Sequence, residues 1–424
     1  MTASSLLDGL FRAAIAAAHP SSWLPQHLPP APRGRLIVLA AGKAAGSMAE
    51  AAEAAYVGLP AGQITGVAVA RQGYGRPTKI IPMIEAGHPV PNAAGLEAAE
   101  RALALADNAG PDDLVLVLLS GGASANWIAP VDGVSLADQQ AMTRALLRSG
   151  ANIGEINAMR KHLSRIKGGR LARRAQPARV ITLAISDVPG DDPAVIGSGP
   201  TVPDPSTLVD ARAVIARFKL DVPDSVVRAL GNPSNESPKP GDATFASAQF
   251  KLIARPADAF HAAQQVVRAA GYECVMLGDR IEGEARDVAA DHAGRALALQ
   301  QQGRRAVILS GGELTVTLRG KGRGGPNQEY ALALAIALDG TPGIAALAGD
   351  TDGTDGGQGD ASDPAGALID ATTLQRARWR GLDPAHFLAE NDSTGFFSRL
   401  GDLVEIGPTW TNVNDFRAIV VDRP

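Results

Sequence analysis

Cysteine occurs once in 424 residues, at position 274. A single cysteine excludes an intrachain disulfide and any cysteine-based zinc site. It lies in "YECVMLG", which reads as a strand, so a buried and unreactive thiol is expected. Aromatic residues are also scarce, at 4%, which leaves little for stacking on single-stranded nucleic acid. A formal net charge of −4 gives no broad basic field for a nucleic-acid partner, although a local basic pocket remains compatible with it. No apolar run reaches the roughly 18 residues that a membrane-spanning helix needs, so no membrane partner is expected. The N-terminal "SSLLDGLFRAAIAAAHP" has Asp8 and Arg12 inside its apolar stretch, the pattern of an amphipathic helix rather than a signal peptide. A cytoplasmic location is the resulting expectation. A Walker A loop, G-x-x-x-x-G-K-[ST], is absent as well.

What is present is an α/β pattern. Apolar residues make up 45% of the chain, enough for full cores in the two or three domains that its length suggests. "RLIVLA" (35–40), "DLVLVLLS" (113–120) and "RVITLAIS" (179–186) are near-continuous apolar runs, as strands covered by helices on both faces read. Alanine-rich helical stretches separate them, near 45–56 and 93–107. The text then turns rich in Pro, Gly, Ser and Asn, most of all in "GNPSNESPKPGDATF", the best candidate for a linker. The expected architecture is therefore two α/β domains with largely parallel sheets. An N-terminal, Rossmann-like domain would fill 1–240 and a second domain 245–424.

The strand ends carry the chemistry. Lys43, after Gly42 in "VLAAGKAAGSMAEAA", is placed where a strand gives way to a helix, a setting that favours anions. The alternative is a solvated surface lysine. "VLLSGGAS" and "VILSGGEL" both end an apolar run in Ser-Gly-Gly: Ser120, Gly121 and Gly122, then Ser310, Gly311 and Gly312. Small residues there let a backbone approach a phosphate closely, or simply make a tight turn. Asp187 in "SDVPGDD" follows another apolar run and could accept a substrate proton, hold a metal or cap a turn. "INAMRKHLSRIKGGRLARR" reads as a basic helix running to Gly168, with 160, 164 and 167 on one face and 161 and 165 on another. It is either a solvated face or one that neutralises phosphate or carboxylate, with Arg160 and Lys161 the candidates for substrate.

"LRGKGRGGPNQE" matches G-x-G-x-x-G at Gly320, Gly322 and Gly325. Pro326 would crowd the first helical turn, and no acid stands where a dinucleotide site needs one, so Lys321, Gly322 and Arg323 read better as an anion loop. "AGDTDGTDGGQGDASD" (348–363) holds five aspartates and five glycines. It breaks the EF-hand pattern at its sixth and twelfth positions. Asp350, Asp352 and Asp355 are ample for Mg²⁺, which needs one or two carboxylates; the alternative is a set of turn-forming aspartates.

These motifs, with "ISDVPGDDPAVIGSGPTVPD", "NQEYALALA", "NDSTGFF" and "GPTWTNVNDFR", resemble over nearly the whole chain the class II glycerate kinases. The C-terminal portion resembles the domain called multi-organism fragment with rich leucine. The resemblance implies transfer of the ATP γ-phosphoryl group to D-glycerate, giving 2-phosphoglycerate, with Mg²⁺ and an active-site cleft between the domains. It favours Lys43 and Arg323 as phosphate-stabilising cations, and the Asp350, Asp352 and Asp355 loop as the acid or metal site. Asp187 and Asp352 join Lys43 and Arg323 as the catalytic candidates. Pro326 stands where the family often has arginine, so Arg323 would have to act for it. Members of this family have also been labelled hydroxypyruvate reductases dependent on NAD(P)H, which is the second reading; a sugar-acid sensor is the third. The partners expected are ATP and D-glycerate, and a homo-oligomer is left open.

Overall fold

Six-residue runs at Leu36–Ala41 and Leu114–Leu119 are buried along their whole length in the computed structural model, which describes residues 2–188, 190–357 and 360–423. They form the centre of a six-stranded sheet. Its strands are β1 (Leu36–Ala41), β2 (Ile64–Arg71), β3 (Met83–Ala86), β4 (Leu114–Leu119), β5 (Arg179–Ile185) and β6 (Ala248–Ala254), in the order β3-β2-β1-β4-β5-β6. Every pairing is parallel. The continuous apolar text is thus explained: helices cover both faces, and no side of β1 or β4 meets water. A separate helical core around Met142, Leu146, Met159, Leu163 and Leu208 fixes the helix Ile153–His162.

The second sheet contains β7 (Glu273–Glu284), β8 (Ala306–Thr315), β9 (Ile344–Asp350), β10 (Gly366–Ile369), β11 (Leu403–Val404) and β12 (Asp415–Val421), ordered β11-β10-β9-β12-β8-β7. Here β7 and β8 pair in parallel, and the other pairings are antiparallel. The parallel character therefore lies in the first sheet. The insertion of β12, the last strand of the chain, between β8 and β9 makes the second sheet mixed. The helix Pro326–Leu338 is buried almost all round beneath it, as its apolar run from Tyr330 to Leu338 requires.

The chain divides into two units that differ from a cut at 240–245. One runs from Pro20 to Ala254; the other holds Arg255 onward together with the N-terminal helix Ala3–Ala18. The stretch "GNPSNESPKPGDATF" is no linker. Ser237 is buried and donates to Asp204 Oδ2 at 2.8 Å, Glu236 meets the buried His162 at 2.8 Å, and the strand that follows, β6, joins the first sheet beside β5. Proline and glycine mark a wrapped loop here, pinned by side chains whose partners lie far away in sequence.

Candidate functional site

In the first sheet the strand order reverses between β1 and β4. Ligands in open parallel sheets collect at such a point, beyond the carboxyl ends of the strands. Gly42 and Lys43 follow β1, Ser120, Gly121 and Gly122 follow β4, and Asp187 follows β5. The first two loops interlock. The Lys43 amide donates to the Gly121 carbonyl at 2.8 Å, and the Ala44 amide donates to Ser120 Oγ at 2.9 Å. Gly42 has φ 114°, and a Cβ there would sit 2.4 Å from Ser120 Oγ, so only glycine fits this crossing. A Cβ on Gly122 would meet the His88 ring at 3.3 Å and the Lys43 side chain at 3.5 Å. Lys43, His88 and Gly122 therefore share one neighbourhood. His88 was not singled out in the sequence, because "GHPVP" has no motif spacing and only the fold brings it beside Gly122.

The basic segment behaves differently from a continuous helix. Helix Ile153–His162 ends early, and a turn leads to a short helix at Arg170–Arg174. Arg160, Ser164 and Lys167 nevertheless line one pocket, together with Ser124 and Gln139. Lys161 must be corrected as a substrate ligand. It is buried and paired with Asp204 at 3.1 Å, as part of the structural cluster that holds the 236–239 loop. Gly168 and Gly169 donate to the carbonyls of Ser198 and Gly199, which ties this segment to "GSGP".

In the second unit the two copies of Ser-Gly-Gly part company. Ser310, Gly311 and Gly312 lie inside β8, paired with Arg417, Phe416 and Asp415 of β12. They are not a strand-end loop, and the expectation that they bind phosphate is corrected. Gly311 leaves room for the Phe260 ring, which a Cβ would approach to 2.5 Å.

The glycine-rich loop is also claimed by packing. Gly322 donates its amide to Glu390 O at 2.8 Å, Gly320 to Asn391 Oδ1 at 2.9 Å, and Arg323 to Asp392 Oδ1 at 3.1 Å. A Cβ on Gly320 or Gly322 would lie 2.3 Å from residue 390 or 392. The glycines seat the loop against "NDSTGFF", so neither a dinucleotide nor an anion finds their amides available, and Gly322 is corrected as a phosphate ligand. Lys321 is exposed, and the half-exposed Arg323 has a loose contact to Asp363 at 3.7 Å. Pro326 does not crowd the helix; it is the first helical residue, where its fixed φ and missing N–H suit the position.

The aspartate loop separates by role; its residues 358 and 359 lie outside the described residues. Asp355 is buried and accepts from the amides of Asn327 (3.0 Å) and Gln328 (2.8 Å) and from both their side chains. It caps the helix Pro326–Leu338, whose own cap residue, Gly325, has no side chain to do so. Burial lifts its carboxyl to about 7 against the pull of the Asn327 amide, and the Asp415 charge adds to the rise. Asp355 is thus corrected from metal ligand to helix cap. Asp352, also buried, accepts from the Thr354 amide at 2.7 Å, and Asp350 ends β9 and accepts from the Asp352 amide at 2.9 Å. Among the described residues no three His, Cys, Asp or Glu side chains gather as a metal cage. Asp350 and Asp352 alone still suit a Mg²⁺ ion that keeps water and phosphate oxygens in most of its shell.

Comparison with known proteins identifies the family. Residues 6–231 match the family described as a domain of unknown function, DUF4147, and residues 306–415 match the MOFRL family. A protein of Agrobacterium vitis with the provisional name hydroxypyruvate reductase is 47% identical over 99% of this chain and 95% of its own. The D-glycerate 2-kinase of Thermotoga maritima is 38% identical over 96% of this chain and 95% of its own. The crystal structure of a glycerate kinase from Thermotoga maritima superposes with a TM-score of 0.85 at 36% identity, over 98% of this chain and 99% of that one. Among the described residues no helix is long and apolar enough to cross a membrane. The chain belongs to the glycerate kinase family, with the N-terminal DUF4147 and C-terminal MOFRL regions in that order.

Proposed function

We propose that the protein is an ATP-dependent glycerate 2-kinase, converting D-glycerate and ATP to 2-phosphoglycerate and ADP. The observation that carries the reading is the interlocked pair of loops at the reversal of the first sheet, which fixes Lys43 beside Gly122 and His88. Phosphoryl transfer asks a protein mainly for position and charge neutralisation. Lys43 would neutralise the transferring phosphoryl group. Asp187, on the neighbouring strand end, would accept the proton of the attacking hydroxyl. Asp350 and Asp352 would hold Mg²⁺, which when bound withdraws charge from the phosphate oxygens. Arg323 would add a second cation.

The alternative is reduction of hydroxypyruvate, and the provisional name of the Agrobacterium vitis relative favours it. The engaged amides of Gly320 and Gly322 speak against it, since a dinucleotide loop needs such amides open. The two readings separate in one experiment. Purified protein is given ATP, Mg²⁺ and D-glycerate, with products followed by ³¹P NMR, and in parallel NADH or NADPH and hydroxypyruvate, followed by absorbance. ADP appearing with 2-phosphoglycerate supports the kinase. Cofactor oxidation with no ADP formed overturns it, and 3-phosphoglycerate as product overturns the choice of hydroxyl.

A further inference from the structure

The pocket between the loop after β4 and the basic segment contains two cations and no acid to balance them. Lys167 is 2% exposed, and its ammonium donates to the Trp127 carbonyl. Arg160 is half-buried and has no hydrogen bond or ion pair among the described residues. The acids that meet the basic segment are engaged elsewhere, Asp204 with Lys161 and Glu100 with Arg165, and Glu155, the nearest acid in sequence, pairs with Arg217. Burial, and after it the Arg160 charge, lowers Lys167 to about 7, and burial lowers Arg160 also. Two like charges held together out of water are unfavourable unless an anion joins them. Ser124 and Ser164, which line the same pocket, add hydroxyl groups.

Size narrows the identity of that anion. The pocket has room for little more than one water molecule, about 10 Å³. It admits a single oxygen of an anion and excludes an adenine ring or a triphosphate. The substrate of the reaction proposed above is a three-carbon hydroxy acid, whose carboxylate can place one oxygen in that space while the rest of the molecule stays outside it. We propose that this pocket binds the carboxylate of the acid substrate, gripped by the Arg160 guanidinium with the Lys167 ammonium behind it. The proposal rests on the kinase reading for the identity of the acid, but hydroxypyruvate carries the same carboxylate, so the site itself can be tested apart from the reaction. It also assigns a role to Lys167, in place of Lys161.

The experiment is calorimetric titration, without nucleotide, of wild type, Arg160→Gln, Arg160→Lys and Lys167→Met with D-glycerate, hydroxypyruvate, glycerol and inorganic phosphate, with steady-state kinase assays of the same proteins in parallel. Thermal melts check that each variant is folded. The half-buried Arg160 supplies a pair of variants that should fold even where Lys167→Met does not. The expected result is binding of both acids and not of glycerol, weakened on the order of 10- to 100-fold in Arg160→Gln and less in Arg160→Lys, with the KM for ATP unchanged. Unchanged binding of the acids by folded Arg160→Gln overturns the proposal. So does loss of inorganic phosphate binding with acid binding intact, which would make this a phosphate site. If the acids bind through Arg160 while no ADP is ever formed, the site stands and the kinase reading falls. If wild type makes 2-phosphoglycerate and Arg160→Gln keeps its KM for glycerate, the site falls and the kinase stands.

Discussion

Backbone amides of Lys43 and Ala44 make the crossing of the two loops. Lys43→Ala should therefore leave the fold intact, with an unchanged melting temperature, and lower kcat/KM on the order of 10²-fold or more, as removal of a preorganised charge at a reacting group does. Turnover near the wild-type level would remove Lys43 from the mechanism. Asp352 and Asp355, three residues apart in the chain, should separate in the same way. Asp352→Asn should raise the Mg²⁺ concentration needed for turnover, and a titration that overlays wild type would make Asp352 a turn residue. Asp355→Asn should act on stability instead. The folded-state pKa of Asp355, about 7, lies above its unfolded value of 3.8, so the native state holds a proton that the unfolded state has released between these values. Stability from this group is present at low pH and is lost as pH rises toward 7. Melts from pH 4 to 8 should show a shallower decline in Asp355→Asn than in wild type; parallel curves would refute the assignment. Sequence could mark both aspartates as unusual in number, but not tell them apart. Asp355 faces a helix that begins 29 residues earlier, and no local pattern records that meeting.

At the scale of elements, glycine patterns were legible as close approaches but not as to what approaches. The loop 318–325 was read as an anion loop because it follows a strand and precedes a helix. Its amides instead run along residues 390–392, a partner about 70 residues away. Gly322→Ala should accordingly destabilise the protein by roughly 1–3 kcal/mol, since the backbone of residue 392 cannot yield easily to a Cβ. Normal stability with weakened nucleotide binding would restore the phosphate role. Arg323 is the cation this loop displays, and Arg323→Lys should be poorly tolerated in turnover if its forked geometry grips phosphate, whereas Lys321→Ala should be mild. A matched pair of small effects would mean that neither reaches a phosphate. The strands themselves were read well where the text is continuously apolar, as at 114–119 and 179–185. Ser-Gly-Gly at 310–312 misled because β12, which pairs with it, arrives about a hundred residues later and extends the strand past the glycines.

For the whole molecule, chain order and structural order disagree at the N-terminus. The helix Ala3–Ala18 packs with the unit formed by residues beyond 254. Leu6, Leu7, Leu10 and Phe11 are at most 2% exposed, the Phe11 ring lies 5.8 Å from that of Phe416 on β12, and Thr411 donates its hydroxyl to the Ala18 carbonyl at 2.7 Å. A Cβ on Gly349 of β9 would come within 3.0 Å of the Phe11 ring, so the helix is seated deeply on that sheet. Its amphipathic pattern was legible, since one face is apolar, but the surface that receives the face was not, because adjacency in sequence suggested the first sheet. Each large apolar side chain of this face is worth roughly 1.5–3 kcal/mol when buried, so deletion of residues 1–19 should remove several kcal/mol from one unit selectively. Hydrogen exchange followed by mass spectrometry would locate the loss. Amides in the helix Pro256–Ala269, in β9 and in β12 should exchange faster in the truncated chain, while those in β1 and β4 keep their protection. Loss of protection in β1 and β4 with β9 and β12 unchanged would assign the helix to the other unit. Equal loss in all four strands would mean that the two units unfold as one, with the N-terminal helix contributing to the stability of both sheets.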